Sequence, residues 1–204
     1  MTRQAITFND VLSCRTALLI STAFCVFLIL GFSTRLVAAP AAFPVCTDYH
    51  CDETATVKLS DTQWDQVRAL FANITTPEQE RQQIRQSIAL LESEVGEQAG
   101  TWRDLGGNPA AVANDPGQLD CISESKNTDT FLKLLDSNGL LHWHTVDDRQ
   151  KRAPWFFDTH WTAVIHDKTT NAQYAVDSWF LDNGQPPYIQ ELGLWLKGKA
   201  FEKE

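Results

Sequence analysis

The chain has 204 residues, 17 Lys and Arg against 26 Asp and Glu, and a formal net charge of −9 at pH 7. An acidic chain excludes nucleic acid as a partner, because that needs a basic stripe, and it offers no polybasic attraction to anionic lipid. Hydrophobic residues make up 43% of the chain, which is enough for one domain with a core of its own.

The first element is apolar. Residues 16–33 (TALLISTAFCVFLILGFS) carry no charge, Arg3 and Arg15 precede them, and small residues from Val37 to Ala42 follow. This is the layout of a secretory signal, with a positive start, an apolar run and A-x-A-like cleavage options. A bilayer span takes ~20 apolar residues, so the run also has the length of a single anchor. We therefore expect residues 1–39 to be a signal peptide or one transmembrane anchor. The remainder would be periplasmic or otherwise extracytoplasmic, held at the inner membrane through residues 16–33 if they are uncleaved.

Cysteine usage agrees with export. Cys14 and Cys25 fall in the targeting segment, leaving Cys46, Cys51 and Cys121. Cys46 and Cys51 flank Thr-Asp-Tyr-His and are either a small disulfide loop, in an oxidising compartment, or a reduced pair. Cys121 is then the odd thiol, and an odd thiol is either a small buried hydrophobe or a reactive group.

Residues 40–58 read as an extended, proline-containing lead-in, and residues 59–204 as the domain proper. Ser60-Asp61-Thr62-Gln63 matches a capping box and opens a helix through Trp64, Val67 and Leu70. Thr76-Pro77-Glu78-Gln79 opens a second, whose stripe of Ile84, Ile88, Leu91 and Val95 is closed by Gly96 or Gly100. Residues 100–118, rich in Gly, Pro, Asn and Asp, form a long irregular loop leading to the cysteine. Asp120 caps a third helix that ends at Asn138-Gly139. Its first half is polar and small, as suits a helix whose start lines a cleft. Strands are expected at Leu140–Val146, Thr159–His166 and Gln173–Phe180, followed by an amphipathic tail around Tyr188, Leu192 and Trp195.

Three of these elements carry chemistry. Cys121 stands at a helix start, where the positive end and free N–H groups favour a thiolate and can hold an oxyanion. His160 and Asp177 stand on successive strands. A turn centred between Lys168 and Thr169 would make them direct cross-strand neighbours, with Cβ atoms about 4.5–5.5 Å apart. Thiol, imidazole and carboxylate then make a nucleophile, a base and a group that orients the base.

Leu119-Asp120-Cys121, His160-Trp161-Thr162-Ala163-Val164-Ile165 and Tyr174-Ala175-Val176-Asp177-Ser178-Trp179 together resemble the transglutaminase-like branch of the papain-like cysteine peptidase superfamily. The resemblance covers roughly residues 100–197. It implies an α+β fold with N-terminal helices packed on a small antiparallel sheet, after a signal or anchor helix. It also implies Cys121 as nucleophile, His160 as base and Asp177 as orienting acid. The reaction would be thiol attack on an amide, with the acyl group passed to water or an amine. Gln118 is the candidate oxyanion donor, and Ile122 replaces the aromatic often found after the family's cysteine.

Two other readings follow from the residues. His142 and His144 alternate on a strand, with Asp147, Asp148, His160 and His166 near in sequence, but their spacing settles no zinc site; we expect no metal and no cofactor. A catalytically inactive binding module in the cell envelope would keep the same fold and use its cleft for recognition. Seven tryptophans occur, all at or after Trp64; Trp161 and Trp179 flank the triad and are the groove candidates. The expected partner is a peptide, protein or cell-wall amide substrate.

Overall fold

The computed structural model describes residues 38–109, 111–112, 115–153 and 159–201. The signal or anchor expected over residues 16–33 lies outside them. Among the described residues no helix is long and apolar enough to cross a membrane.

The architecture is mixed α+β with two antiparallel sheets. Strands β1 (Phe43–Cys46) and β2 (Thr54–Val57) form a two-stranded hairpin, with Phe43 opposite Val57 and Cys46 opposite Thr54. Residues 40–58 are thus not merely an extended lead-in. The Cys46–Cys51 disulfide closes this hairpin, across a Cα–Cα distance of 4.8 Å.

Helix α1 (Asp61–Leu70) begins on the Ser60/Gln63 capping box, with both reciprocal bonds formed. Helix α2 (Pro77–Ala99) starts from the Thr76 cap with Pro77 in its first turn and stops at Gly100, whose φ of 81° is one that glycine adopts freely. Helix α3 (Cys121–Ser137) starts from Asp120, whose carboxylate accepts the Ser123 N–H at 2.9 Å. Trp64 and Val67 of α1, Ile84, Ile88 and Leu91 of α2, and Phe131, Leu132 and Leu135 of α3 are buried in one core.

The second sheet has the order β3 (His144–Arg152), β4 (His160–Asp167), β5 (Gln173–Asp177), β6 (Tyr188–Glu191), all antiparallel. Ala163, Ile165 and Val176 join the core shared with α3, whereas Val164 and Ala175 pack with Leu192 and Trp195 of the short helix α4 (Leu192–Leu196). Alternation along the strands therefore puts α3 on one face and α4 on the other.

The first strand of this sheet starts later than the sequence suggests. Buried Glu80 accepts the N–H groups of His142 (2.7 Å), Trp143 (2.9 Å) and His144 (2.9 Å), so His142 and Trp143 are held by a side chain before strand pairing begins at His144.

Candidate active site

Cys121 is the first residue of α3 and is partly buried, its Sγ 4.0 Å from the Thr159 carbonyl oxygen. The first N–H groups of a helix lack intrahelical partners, so this end offers both a positive field and free donors. Asp120, which as a bare neighbouring anion would oppose a thiolate, is occupied as the cap. Its other oxygen lies 3.7 Å from His50 Nε2.

His160 opens β4 and is 3% exposed. Its Nε2 donates to Asp177 Oδ2 at 2.8 Å, and Trp195 Nε1 donates to the same oxygen at 2.8 Å. Aromatic rings surround the imidazole: Trp179 at 4.8 Å, Phe180 at 5.0 Å and Trp195 at 5.7 Å between centroids. Burial alone would lower the pKa of His160. Hydrogen bonds and charge from Asp177, then from Cys121, outweigh it and raise the imidazole to about 9. With Nε2 taken by Asp177, the other ring nitrogen is the one free to serve the thiol. The structure thus brings Cys121, His160 and Asp177 together.

The register that aligns them differs from the expected one. Val164 faces Ala175 and Ile165 faces Tyr174, which centres the turn between Thr169 and Thr170, one residue further along. Asp167 sets this four-residue turn by accepting the Thr169 N–H (2.8 Å), the Thr169 hydroxyl (2.6 Å) and the Thr170 N–H (3.1 Å), and Asn171 closes it at φ 61°. A shift of this size moves the pairing by two positions and preserves the face. His160 and Asp177 are diagonal rather than direct neighbours, a distance the long imidazole bridges.

Gln118 does something other than the expected oxyanion work. Its Nε2 donates to the Arg103 carbonyl (2.8 Å) and its Oε1 accepts from the Leu105 N–H (3.2 Å), pinning the loop before the cysteine. Trp179 sits against His160 and donates its indole N–H to Asn108 Oδ1. Trp161, next along β4 from His160, points to the α3 side under the Arg149 guanidinium, 5.0 Å from its ring. Arg149 in turn donates to Ser125 Oγ at 2.9 Å.

The polar first half of α3 does not line a cleft. Ser123, Glu124, Ser125, Asn127 and Thr128 are buried. Asn127 bonds both backbone groups of Cys46, N–H at 2.7 Å and carbonyl at 3.1 Å, and Ser123 Oγ accepts from Cys51 N at 2.9 Å. The disulfide loop is therefore docked on the helix that Cys121 opens.

On α3's other side lie three buried carboxyls that the sequence did not single out, Glu92, Asp104 and Glu124. Ser178 donates to Glu124 Oε2 (3.0 Å), the Gly184 N–H to Glu92 Oε2 (3.0 Å) and the Leu119 N–H to Asp104 Oδ1 (2.7 Å). Burial raises all three, Glu92 to about 8 and Asp104 to about 6, with Glu124 pushed well above its usual range by burial and by both neighbours. Gly106 lets the loop carrying Asp104 press on the 178–181 segment: a Cβ there would lie 2.5 Å from Leu181 N.

His144 faces Glu80 (Nδ1 to Oε1, 2.9 Å), and its Nε2 accepts from Arg81 Nη1 at 3.2 Å. Among the described residues no three His, Cys, Asp or Glu side chains are grouped to hold a metal ion. Compared with known proteins, the chain matches no family model, no curated protein and no solved structure.

Proposed function

We propose that the protein is an extracytoplasmic, cysteine-dependent amide hydrolase or acyl transferase of the transglutaminase-like, papain-type class. One observation carries this reading: His160, buried and hydrogen-bonded to Asp177, has Cys121 of the α3 N-terminus as its other side-chain hydrogen-bonding neighbour. An imidazole raised to about 9 is protonated at neutral pH. Beside a thiol at a helix N-terminus it favours the thiolate–imidazolium pair. The Cys46–Cys51 disulfide fits an oxidising compartment.

In this mechanism the Cys121 thiolate attacks the amide carbonyl carbon, and the carbonyl oxygen takes the negative charge. N–H groups of the α3 first turn hold that oxyanion. His160 gives its proton to the nitrogen as the C–N bond breaks, releasing the amine and leaving a thioester. Water or a second amine then attacks the thioester, His160 takes the proton back, and the thiolate leaves. Asp177 keeps the imidazole oriented throughout. The substrate is a peptide, protein or cell-wall amide.

The test is the pH dependence of Cys121 alkylation by iodoacetamide in the full chain, read from the mass of the Cys121 peptide, with His160→Ala as control. Alkylation near neutral pH faster than that of a free thiol, and slowed in the control, is expected. An ordinary titration indifferent to His160 would overturn the mechanism and favour an inactive binding module.

A further inference from the structure

Arg152 is the cross-strand partner of His160, so the two side chains project to the same face of the sheet. It is 9% exposed. Its Nη1 donates to the Trp195 carbonyl at 2.7 Å, and its guanidinium lies 4.5 Å above the Trp195 ring. No carboxylate pairs with it among the described residues, and its Nε has no hydrogen-bond partner there. A buried cation is ordinarily matched by an anion, because desolvation of the charge is costly. Among the described residues the compensation is one carbonyl and one indole face.

Arg152 also lines a cavity of about 450 Å³ whose other walls include Phe180, Tyr188, Lys199 and Phe201. Tyr188 and Phe201 stack with centroids 4.4 Å apart, and Phe180 touches Phe201 on one side (5.4 Å) and the His160 ring on the other (5.0 Å). The cavity therefore has apolar aromatic walls, two cationic groups, and a wall in common with the imidazole.

We propose that this cavity is a carboxylate-binding subsite, taking an acid borne on an aromatic or bulky apolar body, with Arg152 as its counter-ion. As a substrate subsite it rests on the cysteine–histidine reading of the neighbouring centre; as a binding site for such an acid it does not. A planar guanidinium with an unengaged edge is matched to a carboxylate, and the aromatic rings bury the body that carries it. A chain-terminal carboxylate on an aromatic residue fits both halves of this chemistry. A glutamate side chain offers the charge without the apolar body.

The experiment is calorimetric titration of the full chain near neutral pH with N-acetylphenylalanine, N-acetylphenylalaninamide and N-acetylglutamic acid α-amide. The aromatic acid should bind and its amide should bind about tenfold or more weaker, since only the acid makes a charge-assisted hydrogen bond. Arg152→Met should abolish that preference and Arg152→Lys should retain part of it. Equal binding of acid and amide, no binding of either, or a preference that survives in Arg152→Met would overturn the proposal. Glutamate-probe binding as tight as that of the aromatic acid would overturn the apolar half. The acid–amide comparison needs no variant, so a folding defect in Arg152→Met leaves it decisive. The titration also needs no turnover. An ordinary Cys121 alkylation profile with acid-selective binding removes the catalysis and keeps the site, while an activated Cys121 with no selectivity does the reverse.

Discussion

Trp195 donates its indole N–H to the same Asp177 oxygen that receives the His160 N–H, each at 2.8 Å. Asp177 is 2% exposed, so these bonds replace water that the carboxylate has lost. Trp195→Phe keeps a ring beneath Arg152 and removes only the donor. It should destabilise the fold by about 1–3 kcal/mol, the range for a hydrogen bond to a buried charge. Urea unfolding checks this: the midpoint should fall while the slope stays unchanged.

His160 makes stability depend on pH in a definite direction. Its folded pKa of about 9 lies above the ordinary 6.5, so folding favours the protonated form. That contribution is complete below about pH 6.5 and is lost as pH rises through about 9. Asp177→Asn removes the hydrogen-bonding anion that does most to raise this pKa. Its stability should therefore fall much less between those limits, as followed by thermal unfolding at successive pH values.

Glu92 acts in the same direction over a more acidic window. Its folded pKa of about 8 exceeds the ordinary 4.5, so its contribution is complete below about 4.5 and lost as pH rises through about 8. Glu92→Gln mimics the protonated form and keeps an oxygen for the Gly184 N–H. The variant should match the parent near pH 4.5 and be the more stable of the two at pH 8, a comparison that urea titrations make directly. A parent that stays the more stable at pH 8 would mean that Glu92 is charged and compensated.

The Cys46–Cys51 bridge spans a sequence separation of 5, and closing so short a loop is worth roughly 2 kcal/mol in chain entropy. Replacing both cysteines by serine should lower stability by at least that amount, because the bridged loop also supplies the Cys51 N–H to Ser123 on α3. The same variant should alkylate more unevenly at Cys121, read by mass, as the start of α3 loosens.

The helix starts were legible because caps are local chemistry: Ser60 with Gln63, Thr76 with Pro77, and Asp120 each act within one turn. The hairpin register was legible in parity but not in position, because Asp167 and Asn171 hold a turn whose centre no alternation of apolar residues marks. The start of β3 was misplaced for a non-local reason, since Glu80 captures three N–H groups from 62 to 64 residues away. The polar half of α3 suggested a cleft, whereas its partners, Cys46, Cys51 and Ser178, are remote in sequence. Trp195 was legible only as part of an amphipathic tail and Arg152 not at all, because their roles beside His160 and Asp177 arise only where two strands and a short helix meet.

The clasp between Asn127 and Cys46 joins residues 81 apart, and Thr128 and Ser178 join α3 to a segment 50 residues downstream. The seat of the helix that Cys121 opens is therefore completed from both directions along the chain. Closing such long loops is slow compared with forming a helical turn. Cys121 acquires its surroundings only after the first hairpin and the last strands have docked, so the cluster it forms with His160 and Asp177 exists only in the completed fold.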